Sequence, residues 1–440
     1  MRLDEYGEYK PFPTAVECRR CGLCIRVCPF APESEPDESS LGTELFATYP
    51  GIQHSAELGY YGASYVGHVN SDELRWSRSS GGLASWFLAT LLRRGLVSAV
   101  HCVSQTEQTT KRFAYSRFVE PADVWRASKS AYYPVELSAV LKGMCDSSGS
   151  VAIVGLPCYI KGVRRACLSV PALAQRPIIT AGLVCGQSKG AFLCDYLIRR
   201  TGQEERRVSS VSFRDKTLHL PASDYAFAAS TSGRARPTQL LRLNEGYGYA
   251  WTHDYFKPNA CNYCDDLFAE LADVSFMDAW LPEYSSDPEG TSIIVTRNPL
   301  VQCLVEDGIR EGELQMEPID ATDVIASQLG GLHAKRRLLA VRLSLAQRGG
   351  GWSWVKRVRP SERVRWDERI LVRSRIAAMR MSKIAFREQR AIGPGLTHFD
   401  RRMRAVRQWN DVLDRVAALS RLPRRIAGRA FALLRVRRLV

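Results

Sequence analysis

Cys18, Cys21, Cys24 and Cys28, followed at once by Pro29, give the spacing C-x2-C-x2-C-x3-C-P, the ligand run of a bacterial-type 4Fe-4S cluster. Three thiolates two residues apart wrap a loop around one cubane, and the proline after the fourth turns the chain away. The chemistry this predicts is electron transfer. Structural zinc would favour paired C-x2-C knuckles separated by a longer insert. A disulfide framework suits neither a chain this long nor its odd count of 13 cysteines.

Cys261 and Cys264 form a second C-x2-C, a spacing that in a long intracellular chain usually means metal or redox work. Two thiolates are half a ligand set. Cys158 and Cys185, each at the end of an apolar run, are the best placed to complete a second 4Fe-4S cluster. In two-cluster proteins the fourth cysteine of the first run often ligates the other cluster, so Cys28 can exchange with one of the inner four. The plainer alternative makes Cys158 and Cys185 buried thiols acting as small apolar residues, the role expected of Cys102, Cys145, Cys167, Cys194 and Cys303.

Ser79-Ser80-Gly81-Gly82 opens an apolar helical stretch, and free backbone amides at a positive helix end suit a pyrophosphate. Ordinary N-capping by serine is the competing reading. Arg75, just before the turn, can pair bidentately with phosphate oxygens. Lys129 and Arg214 are further cofactor-binding candidates, although a lone basic residue is most often a solvated surface charge.

The elements that must carry these residues alternate between strand and helix. Residues 83–92 read as a helix stopped by Gly95, and 97–103 as a strand. Val151–Val154 is a buried strand ending in Gly-Leu-Pro-Cys158, and the helix after it carries Lys161, Arg164 and Arg165. Ile178–Val184 repeats the pattern into Cys185, with a helix over 192–200. This predicts an α/β core, with α+β elements and ligands at strand ends. Short strands are expected over 208–213 and 216–221, and Ala31–Ser40, rich in Pro, Glu, Ser and Asp, reads as a solvated linker.

The motifs together resemble a known family. Arg75 with SSGG, then SAYYPVEL (130–137), GLPC (155–158), the strand into Cys185, SFRDK (212–216) and CNYCDD with ELADVSFMDAW (261–280) stand in the order of the coenzyme F420 hydrogenase/dehydrogenase beta subunit. The similarity runs from about Cys18 to Gln328, and 7-hydroxymethyl chlorophyll a reductase is similar to the same group. The resemblance implies FAD held on the α/β body, two 4Fe-4S clusters beside it, and hydride exchange with coenzyme F420 or another conjugated substrate. It implies a ferredoxin-type 4Fe-4S module at 1–40, an N-terminal flavin-binding region at 70–150 and a C-terminal region with the second cluster at 151–330; beyond the similarity, 331–440 reads as a helical basic tail. Asp273 and Asp278, beside the second C-x2-C, become the catalytic candidates, able to bind a flavin hydroxyl or pass a proton. Capping is their alternative role.

Three positions depart from the family pattern. Leu156 stands where threonine is common, Tyr159 where glutamine is frequent, and Met277 near a usual glycine. Two hydrogen-bonding side chains are thereby lost near the cofactors. Such relatives also occur beside bacterial polysaccharide-assembly enzymes. The alternative function is therefore a non-catalytic electron-transfer subunit docking to a partner enzyme, with polysaccharide biosynthesis as one setting. An electron donor such as a ferredoxin is the expected partner.

Charge divides the chain. Residues 331–440 hold 29 Lys and Arg against 7 Asp and Glu, whereas 1–330 hold 32 against 39. In the tail, Phe399, Met403, Val406, Trp409, Leu413, Val416 and Leu419 recur at helical spacing among arginines, and 421–440 is similar. Such helices can lie on an anionic membrane surface, outside every redox motif. A helical hairpin packed on the body is the structural alternative, and nucleic acid is a weaker competing polyanion. With many cysteines, no evident leader and no apolar run of spanning length, the expected location is the cytoplasm, with a peripheral place at the inner face of the membrane as the alternative.

Overall fold

The computed structural model describes residues 1–12, 18–31, 37–127, 129–217, 219–231, 239–350 and 356–421. Its centre is an eight-stranded mixed sheet. In chain order the strands and helices that matter are β1 (Ser64–Val69), α1 (Leu83–Arg93), β2 (Ala99–Gln105), β3 (Phe113–Phe118), β4 (Val151–Gly155), α2 (Pro157–Ser169), β5 (Ile178–Leu183) and α3 (Ala191–Arg200). There follow β6 (Val208–Asp215), β7 (Ala226–Thr231), β8 (Gln239–Arg242), β9 (Val274–Asp278), β10 (Ser292–Thr296), α4 (Pro299–Arg310) and β11 (Leu314–Pro318). Among the described residues four tail helices follow: α5 (Leu329–Lys335), α6 (Arg337–Arg348), α7 (Trp366–Ile392) and α8 (Thr397–Arg421).

The sheet order is β11-β1-β10-β9-β5-β4-β2-β3. β2, β4, β5 and β9 run parallel, and the strands outside them pair antiparallel. All five residues of β4 are buried, which is why that run is apolar without alternation. Parallel neighbours bring the ends of β4, β5 and β9 to one edge, where loops collect functional groups. Gly182 in β5 is needed there, because a Cβ would stand 2.3 Å from the Cβ of Ala269. Its absence lets the segment after Cys264 lie flat on the sheet.

β6, β7 and β8 form a separate antiparallel sheet. The strand expected over 216–221 is instead irregular, with His219 at φ 66° and Leu218 outside the described residues. The partner of β6 begins only at Ala226. In the segment read as a linker, residues 32–36 lie outside the described residues, and Asp37 caps a helix over Glu38–Phe46.

The tail is part of the body. Phe386, Phe399 and Met403 are fully buried in one core cluster with Phe192, Tyr196 and Phe256. Ring centroids of Phe192 and Phe386 are 5.0 Å apart, and those of Tyr196 and Phe399 5.2 Å. Ion pairs of Lys383 with Glu8 and of Arg200 with Asp400 add to this, and His253 Nε2 lies within hydrogen-bond distance, 3.0 Å, of Asp414 Oδ2. For the described part of the tail this is the packing of a helical hairpin on the body, one of the alternatives the sequence left open. The apolar stripe of α8 covers the body, while Trp409, expected on that stripe, is 53% exposed. The side chains of Leu419 and its neighbours, and residues 422–440, lie outside the described residues. Among the described residues no helix is long and apolar enough to cross a membrane.

Candidate redox site

Cys158 stands in the first turn of α2, directly after Pro157 at the helix start. Cys185 follows the end of β5, its N–H donating to Leu267 O at 3.0 Å. Cys261 lies in a short 3-10 turn over Asn259–Tyr263, and Cys264 ends it. The four thiols are near enough to perturb one another electrostatically. Ser188 N–H donates to Cys261 Sγ at 3.5 Å, and Lys335 Nζ to Cys264 Sγ at 2.8 Å. Cys264 Sγ in turn contacts Asp266 O at 3.4 Å.

Burial pushes Cys158 well above the ordinary thiol range and Cys185 up to about 12, with the neighbouring sulfurs raising them further and Lys335 pulling the other way. Cys264 moves up for the same first reason. Thiols raised in this way by a low dielectric, as Cys158, Cys185 and Cys264 are, give up their protons when cations arrive to take the charge, which is the chemistry of a metal–thiolate site. The donor set therefore fits a cluster. Among the described residues, no set of three or more His, Cys, Asp or Glu is closed to metal-ligand distances.

The N-terminal run packs beside this set. Gly22 adopts φ 72° before a one-turn helix, Leu23–Arg26, and Arg165 Nε from α2 donates to Arg26 O at 2.6 Å. Val27 packs against the cluster containing Val163 and Ala166. Pro29 and Phe30, next to Cys28, share with Cys158 and Cys264 the wall of a hollow of about 10 Å³, room for roughly one water. Cys18, Cys21 and Cys24 are exposed, and Cys28 is half-buried. The two cysteine sets thus ride on touching segments.

Around the hollow lies a buried charge network. Lys161 pairs with Glu38 at 3.0 Å, Lys356 with Asp265 at 3.6 Å, and Glu270 with Arg357 at 2.6 Å and Arg336 at 3.0 Å. Burial favours the neutral acid at Asp265, but Lys356, Arg357 and Arg336 outweigh it and hold its carboxyl below the usual range. Asp266 moves up, through burial and then the nearby Glu270 and Glu38.

A second feature is a cleft of about 360 Å³ between β2, β6, residues 126–127 and 129–130, and the Ser77–Arg78 pair just before the Ser79–Gly82 turn, lined by Ser104, Lys129, Ser130, Ser210, Ser212 and Asp215 among others. Lys129 faces Asp215 at 3.6 Å. Ser212 Oγ is buried with no hydrogen-bond partner among the described residues, the kind of orphan a polar ligand would satisfy. Ser79 Oγ accepts from Ser130 N–H at 2.8 Å, tying the turn to the cleft wall. Ser80 Oγ donates to Thr291 O and Gly81 N–H to Ser292 Oγ. A Cβ on Gly81 would stand 2.8 Å from Gly67 O, so β1 explains this glycine. Gly82 holds φ 80° at the start of α1.

Arg75 is spent on the fold: it pairs with Asp287 and with Glu289 at 3.0 Å, and donates to Gly290 O. Asp273 is likewise committed. Its carboxylate accepts from Thr180 N–H and Oγ1, from Arg164 at 3.0 Å and from Asn298 Nδ2. It knits β5 to β9, a structural role. Asp278 pairs with Arg214 at 2.7 Å, and Arg214 lies over the rings of Tyr225 and Trp280. Tyr132 stands against Trp251, centroids 4.4 Å apart. Gln187 Nε2 donates to Trp251 O at 2.9 Å, one residue before Ser188, which bonds Cys261. Sequence reasoning missed Lys335, Trp251 and this aromatic bridge. Tyr132 lay in the SAYYPVEL motif, but nothing around Lys335 marked it.

Residues 64–142 match the N-terminal part of the coenzyme F420 hydrogenase/dehydrogenase beta subunit, and residues 148–322 match the C terminus of the same protein family. No curated protein sequence matches the chain. Among solved structures, it is similar to a chain of the F420-reducing NiFe hydrogenase complex from Methanosarcina barkeri, studied by xenon derivatization. That match has 15% identity and a TM-score of 0.51, covering 67% of this chain and 96% of that one. At this identity the likeness is one of fold. With both family segments matched in order over more than half its length, the chain belongs to the coenzyme F420 hydrogenase/dehydrogenase beta subunit family.

Proposed function

We propose that the protein is an iron-sulfur flavoprotein oxidoreductase that passes electrons between two 4Fe-4S clusters and FAD, with coenzyme F420 or another conjugated molecule as substrate. The family is one of oxidoreductase subunits; the cofactors and substrate are our reading. The observation that carries it is the convergence of Cys158, Cys185, Cys261 and Cys264 beside the N-terminal cysteine run. Bound together, the clusters would supply single electrons and the flavin two-electron exchange with an organic substrate.

The residues have distinct tasks in this reading. The cysteines would hold the clusters, while Lys335 and the Ser188 N–H donate to inner sulfurs and offset their negative charge. Ser212, Lys129 and Ser130 would bind the flavin in the cleft. Burial opposes the charge on Arg214, but Asp278 outweighs it, so a fixed positive charge faces the Tyr132–Tyr225 side, ready to orient an anionic substrate. Lys216 is lowered to about 7 by burial and by Arg75, Arg214 and Lys129, and its Nζ donates to Arg75 O and Ser80 O. There it holds the flavin turn rather than a substrate.

The similar solved chain comes from a multi-subunit hydrogenase complex, and we propose that this protein too works with a partner. Turnover separates enzyme from carrier. If the reduced, cofactor-loaded chain alone reduces coenzyme F420 or a second conjugated acceptor, the catalytic reading holds; if it only exchanges electrons with a partner protein, the electron-transfer reading replaces it.

A further inference from the structure

We infer that the exposed face of the Cys18–Phe30 loop is the docking surface for a small acidic electron-carrier protein. The inference rests on the reading that this loop holds a cluster, and it names the partner that cluster serves. Between Cys18 and Phe30 stand three arginines, Arg19, Arg20 and Arg26, and no acidic residue. All three are exposed, and none joins an ion pair among the described residues. Elsewhere Arg336 and Arg357 are taken by Glu270, and residues 1–330 carry 32 Lys and Arg against 39 Asp and Glu.

The loop also has the apolar centre that a docking patch needs. Ile25, between Cys24 and Arg26, is 60% exposed, and Leu168, one turn beyond Arg165 on α2, is 56% exposed. Arg165 holds the loop through Arg26 O, so the patch is fixed rather than loose. Exposed apolar side chains on segments that also carry arginines with no ion pair among the described residues match the small, steered interfaces of electron-transfer encounters. Cys18, Cys21 and Cys24 are exposed at the same surface, which puts a cluster held there within short reach of a docked carrier. The step balances simply: the carrier loses one electron, the N-terminal cluster gains it, and no bond is made or broken.

The test uses the full-length protein with its cofactors loaded, and a reduced ferredoxin of net negative charge as probe. Stopped-flow reduction is followed for wild type and for the R19E/R20E/R26E variant, with photoreduced 5-deazaflavin as an uncharged control. The expected result is a fall of about tenfold or more with ferredoxin at low salt, with the salt dependence lost, and a control rate within about twofold of wild type. Equal ferredoxin rates in variant and wild type, or a wild-type rate indifferent to salt, overturns the inference. If the triple variant loses iron, the milder R19Q/R26Q pair decides by the same two rates. Wild type lacking iron in the N-terminal run would instead defeat the cluster reading, and iron analysis shows that before any carrier is added.

Discussion

Lys335 Nζ, 3% exposed as a residue, donates to Cys264 Sγ at 2.8 Å. The basic C-terminal quarter thereby reaches into the inner cysteine set. The same quarter supplies Lys356 and Arg357 to Asp265 and Arg336 to Glu270. Opposed charges on tail and body are thus spent on each other, and tail arginines neutralise the carboxylates that follow Cys264. A buried acidic run beside a negatively charged cluster would otherwise be costly.

Lys335→Met removes that ammonium while keeping the side chain's bulk. A positive charge close to a cluster favours its reduced, more negative form. The inner midpoint potential is expected to fall by about 60 mV, the one-electron equivalent of ~1.4 kcal/mol. Redox titration with paramagnetic resonance reads it, and an unchanged potential at full iron content would show that Lys335 is only structural.

Replacing Cys261 and Cys264 by serine is expected to halve the iron, from about eight to about four per chain, since each cubane holds four. The N-terminal cluster's resonance should persist. Iron unchanged in the folded variant would remove the inner cluster from the account.

Ser210→Trp places an indole in the 360 Å³ cleft beside Ser212. Flavin content is expected to drop by about tenfold or more, the loss of a few polar contacts at ~1 kcal/mol each together with a steric block, while iron stays the same. Normal flavin in this variant would move the flavin elsewhere.

Phe399→Ala should destabilise the protein by about 3–5 kcal/mol, the usual result of emptying a fully buried aromatic site, because Phe399 lies among Tyr196, Phe256 and Phe386. Deleting residues 396–440 should leave no soluble folded body. Chemical denaturation checks the first and expression with size-exclusion chromatography the second; a stable truncated body would restore the tail as an appendage.

The sequence made legible what depends on local spacing. The both-sides-buried strand β4 and the start of α1 at Leu83 stand where their residues implied. What escaped depends on partners far away in the chain. Asp273 looked available until Thr180 and Arg164 arrived from about a hundred residues upstream. Arg75 looked phosphate-ready, yet Asp287 and Glu289 claim it. Gly81 suggested a phosphate cradle, whereas its space is taken by the backbone of Gly67. The α8 stripe was real, but helical spacing cannot tell a membrane from the chain's own core, and only Phe192, Tyr196 and Phe256 decide it.

The central claim is that one chain holds two clusters and a flavin. Anaerobic purification with iron, sulfide and flavin analysis, read with the absorption spectrum and paramagnetic resonance of the reduced protein, tests it directly. The account predicts about eight irons, matching sulfide, one FAD, and two interacting reduced-cluster signals. Zinc in place of iron, or four irons with no flavin under conditions that preserve the fold, would contradict it.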